Sequence, residues 1–184
     1  MSINMPLTCP CQINPTDSAT TATTLLCYKN CCQQYHDNID NRDGIKAVSA
    51  EQLMRSRYSA FVLVKTDYIV KTTVPSQQML LDTQSIELWA KETDWAGLQI
   101  VTHTSKLGKR HAQVEFKAFY STKNELQAHH ELSTFVKIAD KSANKQNARW
   151  YFLDPTVSVS VTQKQPCICG SGEKFKRCCG VYLA

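Results

Sequence analysis

The sequence predicts an α+β fold with a cluster of cysteines at each end. Helical periodicity dominates from residue 50 to 93, whereas after Gly97 the hydrophobic pattern alternates with a period of two, as in strands. The nine cysteines all lie outside residues 33–166. Because the helices precede the strands, we expect them to cover one face of a curved antiparallel sheet.

Two helices are expected in the first half. Residues 50–74 carry apolar side chains at roughly helical spacing, with Ser49 as a suitable N-cap and Glu51 in the first turn. Pro75 is predicted to stop this helix. A second amphipathic helix is expected from Ser76 to Thr93, and it should end at the break in residues 94–97.

Five strands are expected after the helices, separated by polar turns. The predicted turns lie at residues 108–110, 121–124 and 141–147, where Gly, Lys, Asn and Ser are concentrated. The predicted strands lie near residues 98–102, 112–120, 127–138, 150–153 and 157–161. Short turns between successive strands indicate an antiparallel meander.

The overall composition is that of an ordinary soluble globular chain. Hydrophobic residues make up 42% and charged residues 20% of the 184 positions, which excludes disordered and collagen-like sequences. No apolar run approaches the ~18 residues that a membrane span requires. The start, MSINMPLTCPC, lacks the basic and apolar regions of a signal peptide, so we expect a cytoplasmic protein. In that reducing compartment, clustered cysteines bind metal more often than they form disulfides.

The C-terminal cluster has the spacing of a zinc site. It reads C-x-C, eight residues and C-C, and residues 170–172, Gly-Ser-Gly, supply a tight turn after the first pair. Four thiolates about 2.3 Å from a tetrahedral Zn²⁺ form a closed structural site. The predicted ligands are Cys167, Cys169, Cys178 and Cys179.

The N-terminal cluster is a stretched version of the same pattern. Its two pairs are separated by nineteen residues, and the polar, Thr-rich segment PTDSATTATT is expected to bulge away from the metal. The predicted ligands are Cys9, Cys11, Cys31 and Cys32. Cys27 is surplus, and we expect it to be a half-buried small hydrophobe, with replacement of one member of the Cys31-Cys32 pair as the alternative. The two clusters together predict about two structural zinc ions per chain.

The C-terminal pattern resembles the SEC-C motif, the zinc-binding element named for the C-terminus of the SecA translocation ATPase. Between the two clusters, LMRSRYSAF at 53–61, DYIVKT at 67–72, TDWAGL at 93–98 and RWYFLD at 149–154 are similar to the YchJ-like family of bacterial proteins. This resemblance implies a central NTF2-like cone, in which helices pack on a curved sheet, flanked by two SEC-C zinc motifs. The corresponding domain boundaries are 1–36, 45–162 and 163–184.

The chain departs from the family pattern in two places. Its N-terminal copy lacks the Gly-Ser-Gly turn and carries the long insertion. A second insertion, DKSANKQN at 140–147, lengthens a hairpin. Both departures concern loops, so we expect metal binding to be retained.

The cone that the resemblance implies can enclose a pocket. Alternation along the third predicted strand puts Glu131 and Ser133 on one face, with His129 beside them. The residues expected to reach a possible pocket are Arg55, Tyr58, Tyr68, Trp95, Glu131 and Ser133. The alternative is structural, with Glu131 paired to Arg55 or Arg57 and the tryptophans, including Trp89, in the core. No catalytic residue is predicted, because no paired carboxylates or His-Asp pair follow from spacing alone.

These features favour a zinc-binding adaptor. The residues expected to contact a protein partner are Lys174, Phe175, Lys176 and Arg177. In SecA the motif engages an acidic export chaperone or the ribosome, and the resemblance implies an analogous role in export or folding. Alternatives are an enzyme or small-molecule binder using the cone, and a weak ribosome or nucleic-acid binder. A homodimer through the sheet stays open.

Nucleic acid is not expected as the main ligand. The formal net charge is only +5. Eight thiolates and two Zn²⁺ contribute four negative charges net, so the metallated chain carries about +1. Any phosphate contact must therefore depend on the local cluster of cations in the tail.

Overall fold

The computed structural model describes residues 8–17, 25–41, 43–123, 125–139 and 148–183. Within these ranges, helices precede a four-stranded antiparallel sheet of order β1-β2-β3-β4, which confirms the predicted α+β class. The helices are α1 (Gln33–Asp37), α2 (Ala50–Val62), α3 (Thr66–Lys71), α4 (Pro75–Gln78) and α5 (Thr83–Glu92). The strands are β1 (Asp94–Leu107), β2 (His111–Thr122), β3 (Glu125–Ala139) and β4 (Ala148–Leu153).

Each of the two predicted helices is divided in the structure. The hydroxyl of Ser49 accepts a hydrogen bond from the Gln52 N–H, as expected of the N-cap of α2. The helix nevertheless ends at Val62, because Val64 adopts a left-handed φ of 54°. Pro75 occupies the first turn of α4, where its missing N–H costs no hydrogen bond; it starts this helix and does not stop the one before it, since α3 already ends at Lys71.

Two predictions about the strands were wrong. Strand β1 already begins at Asp94, so residues 94–97 belong to the sheet and are not a break. No strand forms at 157–161, since the side-chain amide of Gln77 donates to the carbonyls of Asp154 and Val157 and holds the chain away from β4. The turn at 108–110 is confirmed, and the predicted turn at 141–147 lies outside the described residues.

Arg57 links the helices to the sheet from a buried position in α2. Its guanidinium donates to the carbonyl of Ile69 and the hydroxyl of Thr72, and it lies 4.5 Å from the centre of the Phe152 ring. Burial lowers the pKa of Arg57 to about 10, so the side chain stays charged at neutral pH. The charge is tolerated because each contact supplies an acceptor or an aromatic face.

The two cysteine clusters pack against different parts of this core. The N-terminal cluster shares a buried core with α2 and β1, including Leu53, Tyr58 and Leu98. The C-terminal cluster packs on Val74, Val136 and Leu153. Both terminal segments are therefore docked on the central domain.

Gly97 allows the N-terminal segment to approach β1 closely. The Leu98 N–H donates to the carbonyl of Ile13 at 2.7 Å, and Gly97 has a φ of +148°. A Cβ atom at position 97 would lie 2.6 Å from that carbonyl oxygen, well inside van der Waals contact.

Within the described residues, no helix is both long and apolar enough to cross a membrane.

We predict that Gly97→Ala lowers the free energy of unfolding by about 2–3 kcal/mol, because it combines backbone strain with a clash against Ile13. Gly108→Ala is the matched control: Gly108 has a φ of +59° but nothing within 4 Å of the new Cβ, so we expect a loss of about 1 kcal/mol. Urea unfolding measures both values, and equal losses would contradict close docking at Gly97.

Candidate metal centres and central cavity

The N-terminal cysteines form a compact quartet of sulfur atoms. The four Sγ atoms all lie within 4.8 Å of one another. The Cys11 and Cys32 sulfurs are 3.5 Å apart, and the Cys31 and Cys32 sulfurs are 3.9 Å apart. A tetrahedral ion with Zn–S bonds of about 2.3 Å requires S···S separations of about 3.8 Å. The spacing of the sulfurs therefore fits Zn²⁺.

The C-terminal cysteines form an equivalent quartet. Their Sγ atoms also lie within 4.8 Å of one another, and Cys169 and Cys178 are 3.6 Å apart. All four side chains are at most 4% exposed. Four cysteine ligands fill a tetrahedral ion and leave no open coordination position, so both sites are structural zinc sites.

Each quartet contains a thiol that is easily deprotonated. Hydrogen bonds from Cys11, Cys31 and Cys32 hold the pKa of Cys9 far below that of an ordinary thiol. Cys167 and Cys179 act in the same way on the pKa of Cys169. The same hydrogen bonds raise the pKa of Cys11, Cys32 and Cys179, so each quartet favours one thiolate, the form of cysteine that binds zinc.

The two sites are structural repeats of one another. In both, a three-residue 3₁₀ helix precedes the adjacent cysteine pair: Tyr28–Asn30 before Cys31, and Phe175–Arg177 before Cys178. Cys31 (φ −121°, ψ −95°) and Cys178 (φ −134°, ψ −116°) share an unusual backbone conformation. We call the segments 8–37 and 163–183, within their described residues, the N-terminal and C-terminal knuckles.

Backbone hydrogen bonds of the two knuckles also correspond. The Cys9 N–H donates to the Leu26 carbonyl, and the Cys167 N–H donates to the Glu173 carbonyl. In this alignment Cys27 is equivalent to Lys174. Both residues have extended backbone conformations and are the N-caps of their 3₁₀ helices. Cys27 therefore occupies a position that is not a ligand position in the C-terminal knuckle, and it lies outside the metal-binding quartet.

Polar groups of the central domain contact the ligand sulfurs. On the N-terminal side, the hydroxyl of Ser59 lies 3.5 Å from the sulfur of Cys9. On the C-terminal side, Nε2 of His111 lies 3.5 Å from the sulfur of Cys179. Such outer contacts orient metal ligands and stabilise their charge. Both zinc sites are thus tied to the central domain.

A cavity of about 320 Å³ opens between the helices and the inner face of the sheet. Four of the residues expected in a pocket line it, namely Tyr58, Trp95, Glu131 and Ser133. The other two lie elsewhere. Arg55 pairs with Glu51 and donates to the carbonyl of Cys11, so it supports the N-terminal knuckle. Tyr68 hydrogen-bonds Ser56 beneath α2 and packs on His36.

Glu131 does not pair with either of the two arginines that the sequence offered as partners, Arg55 and Arg57. Its carboxylate accepts hydrogen bonds from Ser133 and lies 2.9 Å from Nε2 of His129. It forms no salt bridge with Arg55, which pairs with Glu51, or with Arg57, whose guanidinium is bound to carbonyl and hydroxyl oxygens within the described residues. Strand alternation predicts that His129, Glu131 and Ser133 share one face of β3, but it does not specify the hydrogen bonds among them.

Several cavity residues were missed from the sequence. Trp89 was expected in the core but is 45% exposed at the cavity wall, and Phe61 and Asp154 also line the cavity. The i, i+4 spacing of Phe61 to Arg57 on α2 was the available signal. Trp89 lies on α5 and Asp154 follows β4. No local sequence pattern specifies how these segments pack on α2.

The predicted partner-binding run divides into two groups. Lys174, Lys176 and Arg177 are exposed. Phe175 is only 8% exposed, because its ring packs over Gly180 inside the C-terminal knuckle. Phe175 is therefore a core residue of the knuckle, and its assignment to the contact surface was wrong.

Comparison with known proteins agrees with this architecture of an NTF2-like domain between two zinc knuckles. Residues 49–155 match the family model "YchJ, middle NTF2-like domain". Residues 4–39 match "YchJ family protein, N-terminal zinc binding domain", and residues 164–180 match "SEC-C motif". The fold and its sites define a zinc-binding protein with an NTF2-like core. The chain belongs to the YchJ family.

Related proteins match most of the length of this chain. A UPF0225 protein of Actinobacillus succinogenes is 46% identical over 95% of this chain and 97% of its own. A UPF0225 protein of Haemophilus influenzae is 51% identical over 85% of this chain and 88% of its own.

Solved structures are similar as well. The crystal structure of a SEC-C motif containing protein from Psychrobacter arcticus has a TM-score of 0.90 and 69% identity, covering 97% of this chain and 98% of that one. A SEC-C motif containing protein from Rhodopseudomonas palustris has a TM-score of 0.56 and 32% identity, covering 72% of this chain and 92% of that one.

We predict that the purified protein binds about two zinc ions per chain. Cys9→Ser and Cys179→Ser should each lose one ion, because each removes a ligand from a different quartet. Cys27→Ser should retain both, since Cys27 lies outside the quartets. Elemental analysis of protein purified without added metal measures the stoichiometry. Loss of an ion from Cys27→Ser would contradict the N-terminal ligand set.

Proposed function

We propose that this protein is a cytoplasmic adaptor whose C-terminal knuckle docks an acidic segment of a protein partner. The observation that carries the proposal is the group of three exposed cations, Lys174, Lys176 and Arg177, on a short loop whose ends are fixed by zinc ligands. Within the described residues, none of the three forms an ion pair. We call them the basic loop.

The metal supports a binding role because it fixes the conformation of the basic loop. Four thiolates close the coordination sphere, so the ion fixes the backbone on both sides of the basic loop. A loop held in one conformation loses little conformational entropy on binding. Docking of the knuckle on Val74, Val136 and Leu153 adds a rigid base beneath it.

Comparison of the two knuckles favours the C-terminal one as the docking surface. At the positions equivalent to Lys174, Lys176 and Arg177, the N-terminal knuckle has Cys27, Lys29 and Asn30. It therefore presents one cation where the C-terminal knuckle presents three. Because the backbones correspond, the difference in charge is a difference in recognition and not in fold.

The cellular location and kind of partner follow from chemistry and resemblance. Zinc-bound thiolates persist in a reducing environment, which supports a cytoplasmic location. The SEC-C match favours a partner from protein export, folding or the ribosome. An acidic protein segment suits the basic loop better than a nucleic acid, since the metallated chain carries a formal charge of only about +1.

We predict that a fluorescein-labelled, Glu-rich peptide binds the zinc-loaded protein, and that reversing the whole basic loop (Lys174→Glu, Lys176→Glu, Arg177→Glu) weakens binding at least about tenfold. Fluorescence anisotropy measures the affinity. Retention of two zinc ions by the triple variant shows that the loss reflects its surface.

The equivalent positions in the two knuckles provide the matched control. Lys176→Glu should weaken peptide binding, whereas Lys29→Glu should leave it unchanged. Equal effects of these two substitutions, or equal binding of a Gln-rich peptide, would contradict the proposal. Tighter binding of single-stranded RNA, with a steep salt dependence and displacement of the peptide, would favour the nucleic-acid alternative.

A further inference from the structure

The central cavity has an aromatic wall built from two helices and one strand. Trp89 of α5, Phe61 of α2 and Trp95 of β1 contact one another, with the Trp89 ring centroid 5.0 Å from that of Phe61 and 5.2 Å from that of Trp95. Tyr58 meets Trp95 edge to face at 5.8 Å. Aromatic rings carry negative potential on their faces, so a wall of this kind attracts a cation as well as an apolar group.

A carboxylate lines the same cavity from the sheet. Glu131 projects from the inner face of β3 between His129 and Ser133, and its side chain is 30% exposed. Ser133 donates to one carboxylate oxygen, and Nε2 of His129 lies 2.9 Å from the other. Two hydrogen bonds leave lone pairs on both oxygens available to a further donor.

Arg57 is a cation that lines the same cavity. One guanidinium nitrogen donates to Ile69 and Thr72, and the group is stacked over Phe152. Burial lowers the pKa of Arg57, and Asp154 opposes this effect more strongly than Glu131 does. Arg57, Asp154 and Glu131 all line the cavity, so these three side chains carry one formal negative charge net.

We propose that the cavity binds a small organic ammonium compound, with its cationic nitrogen at Glu131 and its apolar body against the aromatic wall. The volume of about 320 Å³ lies at the lower end of the range for ligand pockets, about 300–1,000 Å³, and suits one ring with a short chain. An anion would meet Glu131 and Asp154, and a neutral molecule would leave Glu131 without a counter-charge. This site is separate from the basic loop and does not depend on the adaptor function.

Three probes of nearly equal shape test the charge requirement. Phenethylamine, 2-phenylethanol and phenylacetate differ mainly in bearing a cation, a neutral hydroxyl or an anion. Zinc-loaded protein is titrated with each at pH 8, and binding is followed by tryptophan fluorescence, which reports on Trp89 and Trp95. We expect phenethylamine to bind about tenfold more tightly than the alcohol, and phenylacetate to bind more weakly than either.

Two substitutions on the same strand make the test specific. Glu131→Gln keeps the shape of the side chain and should abolish the preference for the amine. Glu125→Gln removes the same charge from an exposed position on β3 outside the cavity, and should preserve it. Trp89→Leu, a second variant on a different element, should weaken binding of the amine more than that of the alcohol, since it removes a ring face.

Several results would overturn the proposal. These are equal binding of amine and alcohol, preference for the carboxylate, an amine preference that survives in Glu131→Gln, and no binding of any probe. Loss of peptide binding by the basic-loop variant does not bear on these titrations, so the two proposals succeed or fail separately.

Discussion

Tetrahedral spacing of four sulfur atoms is the constraint on which both ends of this protein depend. Each knuckle is shorter than the ~40 residues below which a chain rarely buries enough apolar surface to fold alone. Structural Zn²⁺ contributes about 10–16 kcal/mol of apparent binding free energy in short peptides, enough to offset the ordering of such a segment. The metal thus fixes the knuckles, and the central domain receives them as folded units.

The coupling between metal and core is chemical as well as steric. Ser59 on α2 and His111 on β2 each reach a ligand sulfur, while Arg55 holds the carbonyl of Cys11. α2 therefore serves both the N-terminal zinc site and the cavity, because Arg55 and Ser59 face the knuckle and Tyr58 and Phe61 face the cavity. One helix thus contacts the ligands of the N-terminal zinc site and forms part of the cavity wall.

The sequence predicted the chemistry of the ends better than the geometry of the middle. Cysteine spacing predicted the two close pairs of each quartet, since ligands close in sequence lie close in space, and the match between the two ends predicted that the pairs come together. The period change at Gly97 gave the order of helices and sheet. By contrast, the break at Val64 depends on a single positive φ, and the missing fifth strand depends on Gln77, about eighty residues away, binding the backbone of Val157. Phe175 was misplaced because the composition of a basic run does not reveal which ring the knuckle buries.

The correspondence between Cys27 and Lys174 has a consequence for how such proteins diverge. The metal ligands and the 3₁₀ turn determine the path of the chain, whereas the exposed side chains of Lys174, Lys176 and Arg177 take no part in the metal site. Zinc holds the basic loop as a framework of strands holds an antibody loop. The residues that bind the metal are thus distinct from the residues that contact a partner. Two copies on one core give a single chain two such variable surfaces, and selection can alter one of them without unfolding the other.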